Sequence, residues 1–370
     1  MSKFQIQTRV LIGDTVKNQL LQLETGRTLF VCDPFICKSG VYETLQQALE
    51  NSGAVCACFS DIQPDPSIEI VSQGEKQIMA FGPDTVVAIG GGSAIDTAKL
   101  MTHIYRQAKS GAAVRLVAVP TTSGTGTEMT AFSIVTDMEQ HVKHTLVDDA
   151  MLPDVAILDA GLLRTLPPAI MADTGMDALT HALEAYVAKD ANDFTDALAE
   201  KTIRLVFAYL PLAVREDSGL REREKMLHAS CLAGSAFNSA GLGLNHAMAH
   251  ALGARFHLSH GRSNALLLPH VLQFNAEDAP TAERYRCIAE LLHLPTANVR
   301  IAAASLIRHV EALRKTVNIG ARIESCGIEK SEYLGALEEM AHMAKQDRCL
   351  VANPAACSEA DMVQLYQKLL

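Results

Sequence analysis

"TVVAIGGGSAIDTAKL" (85–100) passes from a β-branched apolar run through three glycines into a helical pattern. Strand, tight turn and helix in that order open a βαβ unit. The same order recurs on both sides. "RTLFVCD" (27–33) reads as a buried strand before a helical stretch, "VYETLQQALENSG" (41–53). "AVCACFS" (54–60) is a second strand, followed by the Pro-punctuated loop "QPDPS" (63–67) and a helix over "IEIVSQGEKQIMAFG" (68–82). "VRLVAVPTTSGTGTE" (114–128) again runs from strand into small residues, and "HTLVDDAMLPDVAILD" (144–159) reads as a closing pair of short strands. Strands alternating with helices predict a parallel sheet covered on both faces.

The texture changes after "RTLPP" (164–168). "MADTGMDALTHALEAYV" (171–187), "VRIAAASLIRHVEALRKTV" (299–317) and "SEADMVQLYQKLL" (358–370) carry helical periodicity, and no stretch beyond Ala169 reads as a strand. The expected fold is α/β: a Rossmann-like parallel-sheet domain over 1–166, then an all-helical domain over 167–370. Two domains suit a chain of 370 residues. A net charge of −10 argues against nucleic acid and anionic membrane as partners. Nine cysteines without regular spacing read as reduced thiols, and Cys56 and Cys58 as a C-x-C pair are a weak metal signal. With no signal peptide and no membrane-length apolar run, the expected location is the cytoplasm.

Glycines let a backbone approach a ligand, and a helix N-terminus offers N–H groups to a phosphate. Gly90, Gly91, Gly92 and Ser93 fit that use. Gly90 and Gly92 satisfy G-x-G, but Ile95 stands at the third glycine position, and no Lys-Ser/Thr makes a Walker loop. The second loop, "PTTSGTGTE" (120–128), adds hydroxyls and glycines after the next strand. Two such loops at successive strand ends suit a pyrophosphate-bearing cofactor, and Asp33 at the end of a strand suits ribose hydroxyls, favouring NAD over NADP.

Asp177 and His181 lie four residues apart in "GMDALTHALEAY" (175–186), on one helix face amid apolar flanks. "GLGLNHAMAHALGARFHLSHG" (241–261) supplies His246, His250, His257 and His260. Three imidazoles with one carboxylate suit a first-row divalent ion with an open position, although spacing does not say which histidines ligate.

These two segments, downstream of "GGGSAIDTAK" and "PTTSGTGTE", resemble the iron-containing, or group III, alcohol dehydrogenases over nearly the whole chain. The resemblance implies the dehydroquinate-synthase-like architecture and metal ligands Asp177, His181, His246 and His260, for Fe2+ or alternatively Zn2+. It places His250 beside the reacting carbon as the catalytic proton-exchange residue and gives His257 no role. For NAD(H) it implies Asp33, the Gly90–Ser93 turn, Asp96, Thr121, Thr122, Thr125, Thr130 and Lys143. Phe132 and Phe237 fall on the substrate side, where diol-using relatives have a polar residue. Two departures stand out: Thr127 replaces Ser or Ala, and Asp65 replaces an Asn beside the nucleotide. "DFTDALAEKTIRLVFAYLP" (193–211) looks like the branch that serves propanediol-utilisation microcompartments, with the ethanolamine-utilisation branch near.

The expected activity is therefore interconversion of short aliphatic aldehydes and primary alcohols, propionaldehyde and 1-propanol favoured. A homo-oligomer, with microcompartment shell or enzyme partners, goes with that resemblance. A zinc glycerol dehydrogenase-like polyol enzyme would use two histidines, so the third imidazole argues against it. A non-catalytic metal-stabilised scaffold is not required by a chain that keeps all four ligand positions and His250.

Overall fold

The computed structural model describes residues 4–63, 66–109, 113–138 and 142–370, the side chains of Val142 and Lys143 excepted. It forms two compact units, Ile6–Leu166 and Pro167–Leu370, the latter joined by Phe4 and Gln5. No helix among the described residues is long and apolar enough to cross a membrane.

The first unit runs β1 (Arg9–Ile12), α1 (Val16–Gln22), β2 (Arg27–Cys32), α2 (Pro34–Lys38), α3 (Val41–Asn51), β3 (Val55–Phe59) and α4 (Ile68–Phe81). It continues β4 (Thr85–Gly90), α5 (Gly92–Ala108), β5 (Arg115–Pro120), β6 (Phe132–Asp137), β7 (Val142–Val147) and β8 (Val155–Leu158). Six strands form one parallel sheet in the order β1-β8-β5-β4-β2-β3. Both faces are covered, which is why the strands read as continuous apolar runs. Leu29 and Val31 pack with Ile78 of α4 and Ile95 and Met101 of α5. Phe30 and Cys32, of opposite parity, pack with Leu20 of α1, Ile36 of α2 and Leu45 of α3.

The stretch 144–159 departs from expectation. Its two strands do not pair: β7 closes an antiparallel hairpin with β6, while β8 enters the main sheet between β1 and β5. β6 and the largely exposed β1 were not evident from the sequence, since neither sits in a long apolar run.

A buried charge cluster fixes the loop after β5 against α5. Lys99 is fully buried, and its Nζ donates to Thr127 Oγ1 (2.7 Å), Thr130 Oγ1 (3.1 Å) and the Phe132 carbonyl (2.7 Å). Asp96 accepts from Thr127 Oγ1 (2.6 Å) and from the Ile134 N–H (3.1 Å). Burial lowers the Lys99 ammonium to about 8, opposed by the Asp96 and Glu128 charges. Burial also raises the Asp96 carboxyl, against the pull of Lys99, Thr127 and the Ile134 N–H. Glu128, buried with neither carboxylate oxygen hydrogen-bonded, is pushed up to about 7 by burial.

The second unit is helical throughout its described residues: α6 (Pro168–Val187), α7 (Asp193–Ala213), α8 (Leu220–Ala240), α9 (Leu244–Phe256) and α10 (His260–Asn275). It ends with α11 (Ala279–Leu291), α12 (Val299–Thr316), α13 (Lys330–Gly335), α14 (Leu337–Gln346) and α15 (Glu359–Gln367). α6 is buried along most of its length. α10 starts hard against it: a Cβ at Gly261 would run into the Asp173 carbonyl oxygen. Asp173 ties the same joint, accepting from Ser259 Oγ (2.7 Å) and Arg262 Nε (2.7 Å).

Two outcomes follow. Gly261→Ala should destabilise the protein by about 1–3 kcal/mol, because the obstacle is backbone and the helices must part; the denaturant midpoint measures it. Glu128, whose folded value near 7 exceeds its ordinary 4.5, contributes stability that is full below 4.5 and lost as pH rises towards 7. Glu128→Gln should remove that slope and raise stability at pH 7 by on the order of 1–3 kcal/mol, read from urea midpoints at pH 5 and pH 7.

Candidate metal centre

Three helices bring four side chains together. α6 contributes Asp177 and His181, α9 contributes His246, and α10 begins with His260. One ligand atom from each lies within 4.8 Å of all the others. Asp177, His181 and His246 are buried, while the His260 side chain is 34% exposed. From Asp177 Oδ1 the distances are 3.4 Å to His260 Nε2 and 3.8 Å to His246 Nε2, and from Oδ2 4.0 Å to His181 Nδ1. The rings of His181 and His246 stack with centroids 4.5 Å apart.

The hydrogen bonds around the group decide which atoms face it. His246 Nδ1 meets the Glu184 carboxyl, so Nε2 is the ring nitrogen turned inward. Asn264 Oδ1 accepts from Asn245 Nδ2 (2.8 Å), which orients the Asn264 amide. Its Nδ2 then lies 2.7 Å from Asp177 Oδ1, 3.2 Å from His246 Nε2 and 3.1 Å from His260 Nε2. One NH2 group has two protons for three acceptors, and His181 adds another ring nitrogen. Three of the four side chains are buried, and this set of one carboxylate and three imidazoles fits a divalent first-row cation. Burial, and then the neighbouring histidines 181, 260 and 250, hold His246 well below its ordinary value, which keeps it neutral as a ligand must be.

Glu184 does more than touch His246. It lies at the N-terminus of α9, where Oε1 accepts from the Asn245 N–H (2.6 Å), and Asn353 Oδ1 takes the Leu244 N–H (3.0 Å). These side chains supply the cap that α9 lacks, since Gly243 has none. Glycine leaves these side chains their room: a Cβ on Gly243 would sit 2.7 Å from Asn353 Oδ1 and 2.9 Å from Glu184 Oε1. Burial pushes the Glu184 carboxyl up to about 8 despite the N–H groups it accepts.

His250 stays outside the group of four. Its Nδ1 bonds Asp347 Oδ2 (2.7 Å), and its ring stacks on His260 with centroids 5.2 Å apart. Burial works against ionisation of Asp347, yet the bond and charge of His250, with the Cys349 N–H, leave its carboxyl below the ordinary value. Phe237, buried in α8, stacks on His181 with centroids 4.5 Å apart. His257 is exposed, in a left-handed conformation at the end of α9.

The first unit carries the cofactor candidates. α5 begins at Gly91 with no side-chain cap, leaving its first N–H groups open. The two loops touch: a Cβ on Gly91 would lie 3.4 Å from Thr122 Cγ2, and one on Gly92 3.0 Å from Thr125 Cγ2. Thr121 N–H bonds the Gly90 carbonyl (2.9 Å), and Ser93, Thr121, Thr122 and Thr125 are half-buried. Asp33 caps α2 through Oδ1, which accepts from the Phe35 N–H (2.8 Å). Asp96 and Thr130 are buried in the Lys99 cluster, so what they do here is hold the second loop to α5. Phe132 is half-buried at the start of β6. The side chain of Lys143, and Asp65, lie outside the described residues.

Sequence reasoning missed Glu184, Asn264 and Asp347. Glu184 follows His181 by three residues and Asn264 follows His260 by four, so helical spacing held both signals. Asp347 gave none, being 97 residues from His250.

Residues 8–160 match the iron-containing alcohol dehydrogenase family and residues 171–370 the C-terminal part of the Fe-containing alcohol dehydrogenase family. The 1-propanol dehydrogenase PduQ of Citrobacter freundii is 44% identical over 373 residues, covering 100% of both chains. That of Salmonella typhimurium is 41% identical, again covering 100% of both. Among solved structures, a 1,3-propanediol oxidoreductase superposes with a TM-score of 0.91 at 33% identity over 100% of both chains.

Proposed function

The chain belongs to the iron-containing alcohol dehydrogenase family, and from that premise we propose that it reduces short aliphatic aldehydes, propionaldehyde foremost, to primary alcohols with NADH. Membership makes it an oxidoreductase that interconverts alcohols and aldehydes with NAD(H) and Fe2+. The observation that carries the finer reading is the convergence of Asp177, His181, His246 and His260. In this proposal those four residues hold the iron. When bound, Fe2+ supplies a positive charge that draws electron density from a carbonyl oxygen, and NADH supplies the hydride.

The chain's own residues do the positioning. Glu184 fixes the His246 ring through Nδ1 and anchors the first turn of α9. Asn264, oriented by Asn245, contacts Asp177, His246 and His260 together. His250, its Nδ1 proton held by Asp347, keeps Nε2 as the atom that takes or gives a proton. Phe237 places an apolar ring on His181, which favours an unsubstituted chain, and Phe132 is assigned with it to the substrate pocket. The Gly90–Ser93 turn with Thr121, Thr122 and Thr125 offers N–H and hydroxyl groups to the pyrophosphate, and Asp33, with Oδ2 left open, receives the ribose. Lys143 is assigned to the ribose from the family resemblance alone. The likeness to the PduQ relatives supports work within a cytoplasmic microcompartment, and a homo-oligomer is assigned from the family resemblance alone.

His260→Ala should abolish iron retention and lower propionaldehyde reduction by roughly 10³-fold, the kinetic equivalent of several kcal/mol of lost charge stabilisation. Metal analysis and NADH oxidation rates measure both, and full activity in iron-free variant protein would overturn the ligand assignment. The wild type should prefer NADH over NADPH in kcat/KM, and Asp33→Gly should narrow that preference; equal kcat/KM for the two cofactors in the wild type defeats the role given to Asp33.

A further inference from the structure

Away from the metal centre, three thiols from three elements meet near the β3 edge of the sheet. Cys32 ends β2, Cys37 lies in α2 and Cys58 lies on β3, where it is paired two residues short of Cys32, opposite Phe30. Their sulfurs all lie within 4.8 Å of one another, and Cys37 Sγ and Cys58 Sγ are 3.9 Å apart. With metal–sulfur bonds of about 2.3 Å, a tetrahedral ion holds its sulfurs about 3.8 Å apart. The trio therefore stands close to ligand spacing. Cys32 is fully buried, whereas Cys37 and Cys58 are half-buried, so solvent can reach a fourth position.

We propose that Cys32, Cys37 and Cys58 form a second metal site, selective for a thiophilic d10 cation of the zinc class. Ligand type separates it from the centre in the helical unit. Three imidazoles and a carboxylate accept borderline ions, whereas an all-sulfur set selects soft ones. Loading releases three thiol protons and leaves one net negative charge, with water as the fourth ligand. The bound ion would staple the end of β2, the five-residue α2 and the edge strand β3 to one another. Asp33 follows Cys32 directly and caps α2, so the staple holds the carboxylate assigned to the cofactor.

The test uses iron-loaded full-length protein, titrated anaerobically with Cd2+ as the zinc surrogate. One equivalent should bind with sulfur-to-cadmium charge-transfer absorption and a rise in Tm, while the iron content stays constant. Cys37→Ser and Cys58→Ser, both at half-buried positions, should each lose the absorption and the Tm rise yet keep their iron. Cys287→Ser, at an exposed position in α11, should behave as wild type. Absence of the band at one equivalent, or its persistence in both Cys37→Ser and Cys58→Ser, overturns the site.

Discussion

A carboxylate and three imidazoles whose ligating atoms converge on one largely buried point crowd one another unless a cation joins them. That constraint organises the helical unit. Asp177 and His181 on α6, His246 on α9 and His260 on α10 must hold their lone pairs inward, so three helices have to meet within side-chain reach. Each joint carries its own fastening. Asp173 grips the start of α10 through Ser259 and Arg262, and Gly261 lets the backbones close. Glu184 and Asn353 grip the start of α9, and Gly243 leaves them room. Removing a fastening acts on ligand position before it acts on chemistry.

The first unit solves a different problem by similar means. Its glycine turn lacks the third glycine that ordinarily lets helix and strand approach. Ile95 stands there instead, fully buried against the sheet. Close approach is met by Gly90 and the small Ala94, since a Cβ on Gly90 would lie 2.6 Å from Ala94 Cβ. Lys99, one turn beyond Ile95, then reaches across to Thr127, Thr130 and the Phe132 carbonyl. Lys99 is thus the pin of the second loop.

Local pattern made the parallel sheet, the glycine turn and the all-helical second half legible, because both-face burial and helical periodicity are written into neighbouring residues. Pairing was less legible. β7 and β8 are adjacent in sequence but join different sheets, and β1 has too little buried surface to mark itself. At the candidate metal centre, helical spacing pointed to the faces of α6 and α9 that converge. It did not separate His246 from His250, which share a face one turn apart; the family resemblance made that distinction. The physical reason lies in Glu184 and Asp347, which arrive from α6 and from beyond α14.

Those two carboxylates show how one helix gives two histidines different surroundings. Each bonds an Nδ1 and so leaves the Nε2 of its ring to other partners. Glu184 is fully buried among backbone N–H groups at the head of α9, and its ring partner stacks within the ligand group. Asp347 is a loop residue after α14, its side chain 16% exposed, and its partner ring lies beside His260 with 14% of its own side chain exposed. Burial alone does not sort the rings, since the His260 side chain is 34% exposed. The partner carboxylate, rather than any difference in residue type, therefore distinguishes the two histidines of α9: Glu184 holds His246 with its Nε2 toward Asp177, and Asp347 holds His250 beside His260, outside the group of four.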